Sequence, residues 1–347
     1  MTRRRFILIQ FALFLVAGVA AILIAEQIMR WRYPELRYAA ERQQRPETTF
    51  MQFDPRYGWS NMPGREVRFQ RIDFDTKVTI NADGFRGPTF GPRSPADTAR
   101  TRIVVLGDSY VFGHGVEDDE ILTVRLQSLL PAADVVNLGV TGYSTDQELL
   151  LLQDRGFDYD PDVVVLFACS NDLLDNGRET AWGLYQKPRF ILDPTGALTL
   201  ESPTVRDGVS WGMKLRREIR RHFVLYDLMA HRIEGLGGSL EVTDGSTVGA
   251  SDLTQALIRR CAEVCHDRDV RFLLVVLPGW SDPMIFADLP PAGVGARLDL
   301  AEPFASRHEA QPDSTLAFEH DPHWNERGHR WVAELLAGEL RRLDWLR

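Results

Sequence analysis

Four short apolar runs recur along this chain, and each gives way to a glycine-bearing or polar turn. They are Ile103–Leu106 before "GDS", Val135–Leu138 before Gly139, Val163–Ala168 before "CSND", and Arg271–Leu277 before "PG". Runs this short and this rich in valine and leucine suit strands with both faces covered. Two segments between them have helical texture. Asp119–Leu130 is stopped by Pro131, and Ser144–Arg155 carries Ser144 in the N-cap position. Strand, turn and helix in repetition predict an α/β domain built on a parallel sheet.

The chain has 347 residues, enough for one large core with appendages. A net charge of −9 argues against nucleic acid as a partner, because a phosphate backbone needs a basic footprint. The three cysteines form no disulfide framework. Cys169 sits in an apolar run and reads as a small buried hydrophobe. Cys261 and Cys265 stand four apart on an expected helix, a poor geometry for a bridge.

The amino terminus, "RRRFILIQFALFLVAGVAAILIAEQ", puts three arginines before an apolar stretch from Phe6 to Ala25. About 20 helical residues span roughly 30 Å, the thickness of a bilayer core. A cleaved signal would have a shorter apolar region and a small-x-small site before Glu26. A twin-arginine export signal is a looser alternative for Thr2–Phe6. The expectation is a single-pass membrane anchor over residues 1–30. Arg3 to Arg5 set its N-terminus in the cytoplasm and the body in the periplasm or outside the cell.

Residues 31–100 are expected to hold a juxtamembrane stalk and a small β-rich lead-in. Within them, "EVRFQRIDFDTKVTI" alternates like strands, "NADGFRG" supplies turn residues, and "GPRSPADTAR" reads as a loop. The body occupies residues 101–347, with an insertion at 173–250. The insertion predicts a hairpin turning at Asp193-Pro194-Thr195-Gly196. It then predicts a basic amphipathic helix packed through Leu215, Ile219, Phe223 and Leu228, with a membrane surface as the alternative partner. The stretch "GLGGSLEVTDGSTVGAS" reads as a loop.

Residues able to do chemistry fall at the carboxyl ends of the strands, where open α/β sheets bind ligands. Ser109 follows the first strand, as nucleophile or as the start of the next helix. Asn137 and Gly139 follow the second, where a glycine lets a backbone N–H approach a ligand. Asn171 follows the third and carries a neutral donor suited to a developing oxyanion. Near the carboxyl terminus, "EHDPHWNERGH" places Asp321 and His323 before a helix that begins near Asn325. A histidine can take a serine's proton while a carboxylate fixes its tautomer. His320, Asp321, His323 and His329 also admit a metal-cluster reading. His329, well inside the helix, reads as structural.

Taken in order, Gly107-Asp108-Ser109, Asn137-Leu138-Gly139, Ser170-Asn171-Asp172 and Asp321-Pro322-His323 with Asn325 and Gly328-His329 resemble the SGNH, or GDSL-like, hydrolase family. The resemblance covers residues 102–340 apart from the insertion. The lead-in "YGWSNMPG…INADGFRG" looks like the segment preceding this domain in membrane-anchored bacterial members. The resemblance implies a flavodoxin-like three-layer α/β/α domain. It makes Ser109 the nucleophile and His323 the general base. The oxyanion hole would comprise the N–H groups of Ser109 and Gly139 and the side chain of Asn171. Asp108 would shape the turn.

One departure stands out. Many members carry the acid three residues before the histidine, where this chain has His320. Asp321, two residues before, is the candidate orienter. That spacing occurs in some branches, polysaccharide acetyltransferases among them. A Ser–His dyad aided by a backbone carbonyl is the alternative. The implied activity is cleavage of a carbohydrate or lipid acyl ester through an acyl-serine in the cell envelope, with no metal or organic cofactor. O-acyl transfer to a polysaccharide is the second reading, and a non-catalytic binding module the third.

Overall fold

The computed structural model describes residues 3–32, 50–91, 93, 99–181, 185–201, 204–205, scattered positions between 211 and 229, 249–280, 283–311 and 315–347. The expected stalk at residues 33–49, most of the "GPRSPADTAR" loop, Leu228 and residues 235–248 of the expected loop lie outside the described residues. The chain forms two compact units. One comprises residues 1–46 and 210–245, the other residues 47–209 and 246–347.

The first unit contains helix α1, Arg3–Arg32. Among the described residues it is the one helix long and apolar enough to cross a membrane. Its Glu26 carboxylate accepts the backbone N–H groups of Val224 and Leu225 at 2.8 and 2.9 Å. The expected apolar stripe of the basic segment is not packed as such. Leu215 and Phe223 are exposed.

The second unit begins with two hairpins. Strands β1 (Met51–Asp54) and β2 (Gly58–Asn61) pair antiparallel, as do β3 (Glu66–Gln70) and β4 (Asp75–Thr79). The β3–β4 hairpin shows the expected alternation. Val67 faces Val78 and Phe69 faces Thr76 across the ladder, and all four are buried.

The body then follows in chain order: β5 (Thr101–Leu106), α2 (Ser109–Phe112), α3 (Leu122–Leu129), β6 (Ala133–Asn137), α4 (Thr145–Asp154), β7 (Val163–Ala168) and α5 (Asp172–Asp175). The insertion adds the short pair β8 (Thr180–Ala181) and β9 (Tyr185–Gln186), and the hairpin β10 (Phe190–Leu192) and β11 (Leu198–Leu200). That hairpin turns where expected, with the Asp193 carboxylate accepting from the N–H groups of Thr195 and Ala197. The chain closes with α6 (Ala250–His266), β12 (Arg271–Val276), β13 (Ala296–Asp299), α7 (Ala301–Ala310) and α8 (Glu326–Arg342).

Five strands form one parallel sheet in the order β13-β12-β7-β5-β6. Counted along the chain, that is 2-1-3-4-5 read from the β6 edge, the flavodoxin-like order. The continuous apolar runs have a simple cause. Ile103, Val105, Val163 and Val165 join the cluster under α3 and α8, while Val104, Leu106, Val164 and Leu166 join the one under α4 and α6. Both faces are buried, so the central residues of these strands are apolar.

Two local expectations shift. Helix α3 starts at Leu122 rather than Asp119, because Glu117–Glu120 closes a turn in which Glu120 N–H donates to the Glu117 carbonyl at 3.0 Å. Ser144 stands at the N-cap of α4 but makes no capping bond; its hydroxyl donates to Asp146 at 2.9 Å and accepts from the Lys187 ammonium at 2.6 Å.

Candidate active site

Strands β6, β5 and β7 are neighbours, so their carboxyl ends form one edge at the point where the strand order reverses. Gly107 and Asp108 turn the chain after β5. The Asp108 side chain caps the four-residue helix α2 by accepting the Tyr110 N–H at 2.9 Å. Burial pushes the Asp108 carboxyl above its ordinary range. Ser109 opens α2 and is largely buried.

Gly139 lies beside this helix after β6. A Cβ there would sit 2.4 Å from the Phe112 nitrogen, so the close approach requires glycine. The Gly139 N–H donates to Asn137 Oδ1 at 2.8 Å, and Asn137 Nδ2 donates to the Val111 carbonyl at 3.1 Å. Asn137 therefore ties the second strand end to α2. Beyond β7, the buried Asp172 accepts the Cys169 N–H at 3.0 Å and orders the turn that carries Asn171. Asn171 stands at the N-cap of α5 without a side-chain capping bond and donates one amide hydrogen to Asp175 at 3.3 Å.

The carboxyl-terminal loop supplies the rest. Asn325 caps α8, accepting the N–H groups of Arg327 and Gly328 at 3.0 and 3.1 Å. Its amide holds the Ala317 carbonyl at 2.9 Å, and Phe318 N–H reaches the His323 carbonyl at 3.1 Å. The loop is thus folded on itself and presents His323 to the sheet edge. His323 Nε2 lies 2.7 Å from Ser109 Oγ. His323 Nδ1 is paired with Asp321 Oδ1, which also accepts the His323 N–H at 3.1 Å. Burial raises the Asp321 carboxyl, but the imidazoles of His114 and His323 beside it outweigh burial and hold the group well below the usual carboxylate range.

Ser109, His323 and Asp321 are therefore brought into one hydrogen-bonded line. The two-residue Asp-x-His spacing works because Asp321 folds back onto its own downstream neighbour. His320, at the minus-three position, turns away. Its Nδ1 pairs with Asp73 Oδ1 at 2.8 Å, and its N–H donates to Asp73 Oδ2 at 3.0 Å. His329 is buried on α8, neither of its ring nitrogens has a hydrogen-bond partner among the described residues, and burial lowers its pKa to about 3. The set His320, Asp321, His323 and His329 does not converge. His114, Asp321 and His323 do bring one donor atom each within 4.8 Å of one another. Both ring nitrogens of His323 are already committed there, one to Ser109 and one to Asp321.

Three residues that sequence reasoning passed over belong to this region. Arg86 is fully buried; it donates to the carbonyls of Val116 at 2.6 Å and Lys77 at 3.1 Å, to that of Gly113, and to Asp118 at 2.8 Å. Asp73 anchors the histidine loop, as described. His114 stacks on His323 with ring centroids 4.2 Å apart. The "FGHG" glycines were a signal for His114; Arg86 and Asp73 gave none beyond their place in turns.

Residues 105–331, more than half of the chain, match the GDSL-like lipase/acylhydrolase family. The chain belongs to this family, and its class is that of ester-hydrolysing enzymes. Solved structures similar to this chain include an acetyl xylan esterase, AlAXEase, at 14% identity over 69% of this chain and 99% of its own, with a TM-score of 0.41. A psychrotrophic esterase, EstA from Pseudoalteromonas sp., aligns at 11% identity over 70% of this chain and 98% of its own, with a TM-score of 0.41. A two-domain esterase active on acetylated mannans aligns at 13% identity over 71% of this chain and 50% of its own, with a TM-score of 0.42. No curated protein matches the sequence.

Proposed function

We propose that this protein is a membrane-anchored serine esterase of the cell envelope, acting on a carbohydrate or lipid acyl ester. The observation that carries the proposal is the line from Ser109 Oγ, 2.7 Å from His323 Nε2, through His323 Nδ1 to Asp321, at the ends of the sheet strands. In this reading His323 takes the proton of Ser109 as its Oγ attacks the ester carbonyl carbon. Asp321 holds the tautomer that leaves Nε2 free to accept, and stabilises the imidazolium that forms. His323 then returns the proton to the departing alcohol. Water, activated by the same imidazole, releases the acid and restores Ser109.

The oxyanion would be met by the N–H of Ser109, the N–H of Gly139 and the Asn171 amide. Ser109 opens a helix, where an N–H has no acceptor within the helix. The Gly139 hydrogen would be shared with Asn137 Oδ1. The Asn171 amide has two hydrogens, and one goes to Asp175. Each such donor is worth about 3 kcal/mol to the transition state. The apolar stretch of α1 supports the anchor, and Arg3 to Arg5 support a cytoplasmic N-terminus with the body outside.

Exposure of the full chain in detergent to a fluorophosphonate, followed by intact-mass measurement, tests the nucleophile. A single adduct on wild type that is absent from Ser109→Ala supports the assignment. An unlabelled, folded wild type, or a labelled Ser109→Ala, overturns it. Turnover of an acetylated glycan with a second sugar present then reports acceptor use: free acetate marks hydrolysis, and an acetylated second sugar marks transfer.

A further inference from the structure

His114 lies between two glycines, and both are there for steric reasons. Gly113 ends α2 at φ +88°, and Gly115 follows at φ +87°. A Cβ on Gly115 would meet Phe318 at 2.6 Å and Phe74 at 2.9 Å. The chain thus reverses on either side of His114, and the ring is driven inward. There it meets two different surroundings. Phe69 and Phe74 of the lead-in contact it edge-on, with centroids at 5.0 and 5.4 Å. On the other side it stacks on His323, with its Nε2 3.6 Å from Asp321 Oδ2.

A phenylalanine would fill this box at least as well as an imidazole. What the imidazole adds is an N–H at one edge. The Asp321 carboxylate is almost fully buried, and a buried carboxylate needs donors around it to stay ionised. Oδ1 takes both hydrogen bonds from His323, while Oδ2 faces His114. His114 Nδ1 is buried with no partner among the described residues, so the neutral ring places its single proton on Nε2, towards the carboxylate.

Resting on the esterase reading above, we propose that His114 is a positioning residue for the reaction. It faces the second oxygen of the Asp321 carboxylate, Oδ2, and covers the face of the His323 ring. The lead-in hairpin keeps it there. Through Phe69 and Phe74 on one side, and Asp73 on His320, the lead-in is part of the catalytic apparatus rather than a spacer. Burial lowers the His114 pKa to about 4, so the ring stays neutral beside the imidazolium formed on His323 during turnover.

The groups facing this pair are Ser109 and Tyr110 from α2, Asp108 before it, Asp321 on the histidine loop, Arg71 from the lead-in and His329 on α8. In His114→Phe the aromatic packing is kept and the donor is lost. Asp321 then concentrates its charge towards His323 and makes that imidazole more basic. The expected result in full-length enzyme is a kcat lowered about tenfold, or ~1.4 kcal/mol, with KM within about twofold. The acidic limb of kcat/KM should move to higher pH. His114→Gln, which returns an amide donor, should recover most of kcat and move the limb back. The downfield proton signal of His323 Nδ1–H should shift in His114→Phe and return in His114→Gln.

If both variants lose kcat equally with the acidic limb unmoved, His114 only packs, and the proposal is overturned. A His114→Phe enzyme with wild-type kcat and pH profile overturns it as well. If His114→Phe fails to fold, the kcat, acidic limb and proton signal of His114→Gln decide alone, with large loss of kcat counting against the proposal. Fluorophosphonate labelling of wild-type Ser109 separates the two levels. No label and no turnover overturn the esterase reading together with this one; a labelled, active wild type beside an unaffected His114→Phe overturns this inference alone.

Discussion

At the scale of single residues, the arrangement depends on a short carboxylate–imidazole pair made within one tripeptide. Asp321 is two residues from His323, so its side chain must fold back to reach Nδ1, and it accepts the His323 N–H on the way at 3.1 Å. That backbone bond fixes the carboxylate even before the ring arrives. Asp321→Asn removes the charge and presents an amide that can favour the wrong tautomer. It should lower kcat by about 10³-fold or more with little change in KM, measured by steady-state kinetics. Activity within a few-fold of wild type would show instead that Ser109 and His323 work as a dyad. Ser109, Asn171, Asp321 and His323 were legible because each residue type stands at the end of a recognisable apolar run or just before a helix. The glycines flanking His114 marked a turn, but its place at the site was not legible, because its neighbours come from residues 69, 74, 321 and 323.

At the scale of elements, the lead-in hairpins do more than precede the sheet. Trp59 of β2 donates its indole N–H to the Thr141 carbonyl at 3.0 Å, and Tyr143 donates its hydroxyl to the Trp59 carbonyl at 2.6 Å. The loop after β6 is braced by these bonds. Phe50 stacks on Phe112 of α2 with centroids 4.8 Å apart. Arg86 joins the carbonyls of residues 77, 113 and 116, tying β4 to the segment that carries His114. Arg86→Ala would take the guanidinium from these carbonyls and leave Asp118 Oδ1 with the Thr79 N–H, at 3.2 Å, as its remaining donor among the described residues. It should cost about 3 kcal/mol of stability, read as a lowered midpoint in urea unfolding of the full chain in detergent. A loss under about 1 kcal/mol would mean that water replaces the guanidinium. The alternation in "EVRFQRIDFDTKVTI" announced the hairpin itself. Its docking on α2 and on the histidine loop was not legible, since period-two patterning says which face is buried but not against what.

At the scale of the whole molecule, pH acts through buried groups that ordinarily would be charged. His329 is neutral in the fold down to about pH 3, whereas an unfolded imidazole takes up a proton near pH 6.5. Between those values the unfolded chain binds the extra proton, so stability falls as pH falls through about 6.5. Glu148 and Asp172 work in the opposite sense. Burial, with the mutual repulsion of neighbouring carboxylates, raises their pKa values well above the ordinary range, so acidification relieves their cost. The histidine contribution is separable by mutation. From pH 7 to pH 5, wild type should lose about 2 kcal/mol more than His329→Leu, measured by urea unfolding at both values. Equal losses would show that His329 is protonated in the folded state.

The sequence alone determined the layered α/β domain, the order of its motif residues and an apolar helix long enough for a bilayer. These are local properties: strand runs, turn residues and helix caps act over a few neighbours, and hydrophobicity needs only a count along the chain. Asn137 looked like a turn residue, and only its bonds to Gly139 and Val111 show that it joins two strand ends. The fifth strand, β13, is too short and too polar at the sheet edge to be seen without its partner β12. His320 and Asp321 were adjacent candidates for one role, and tertiary structure separated them, giving His320 to Asp73 and Asp321 to His323. Contacts between residues 69 and 114, or 73 and 320, exist only after the lead-in docks. Their energy comes from burial and charge pairing across distant segments, and no periodicity in the chain encodes that pairing.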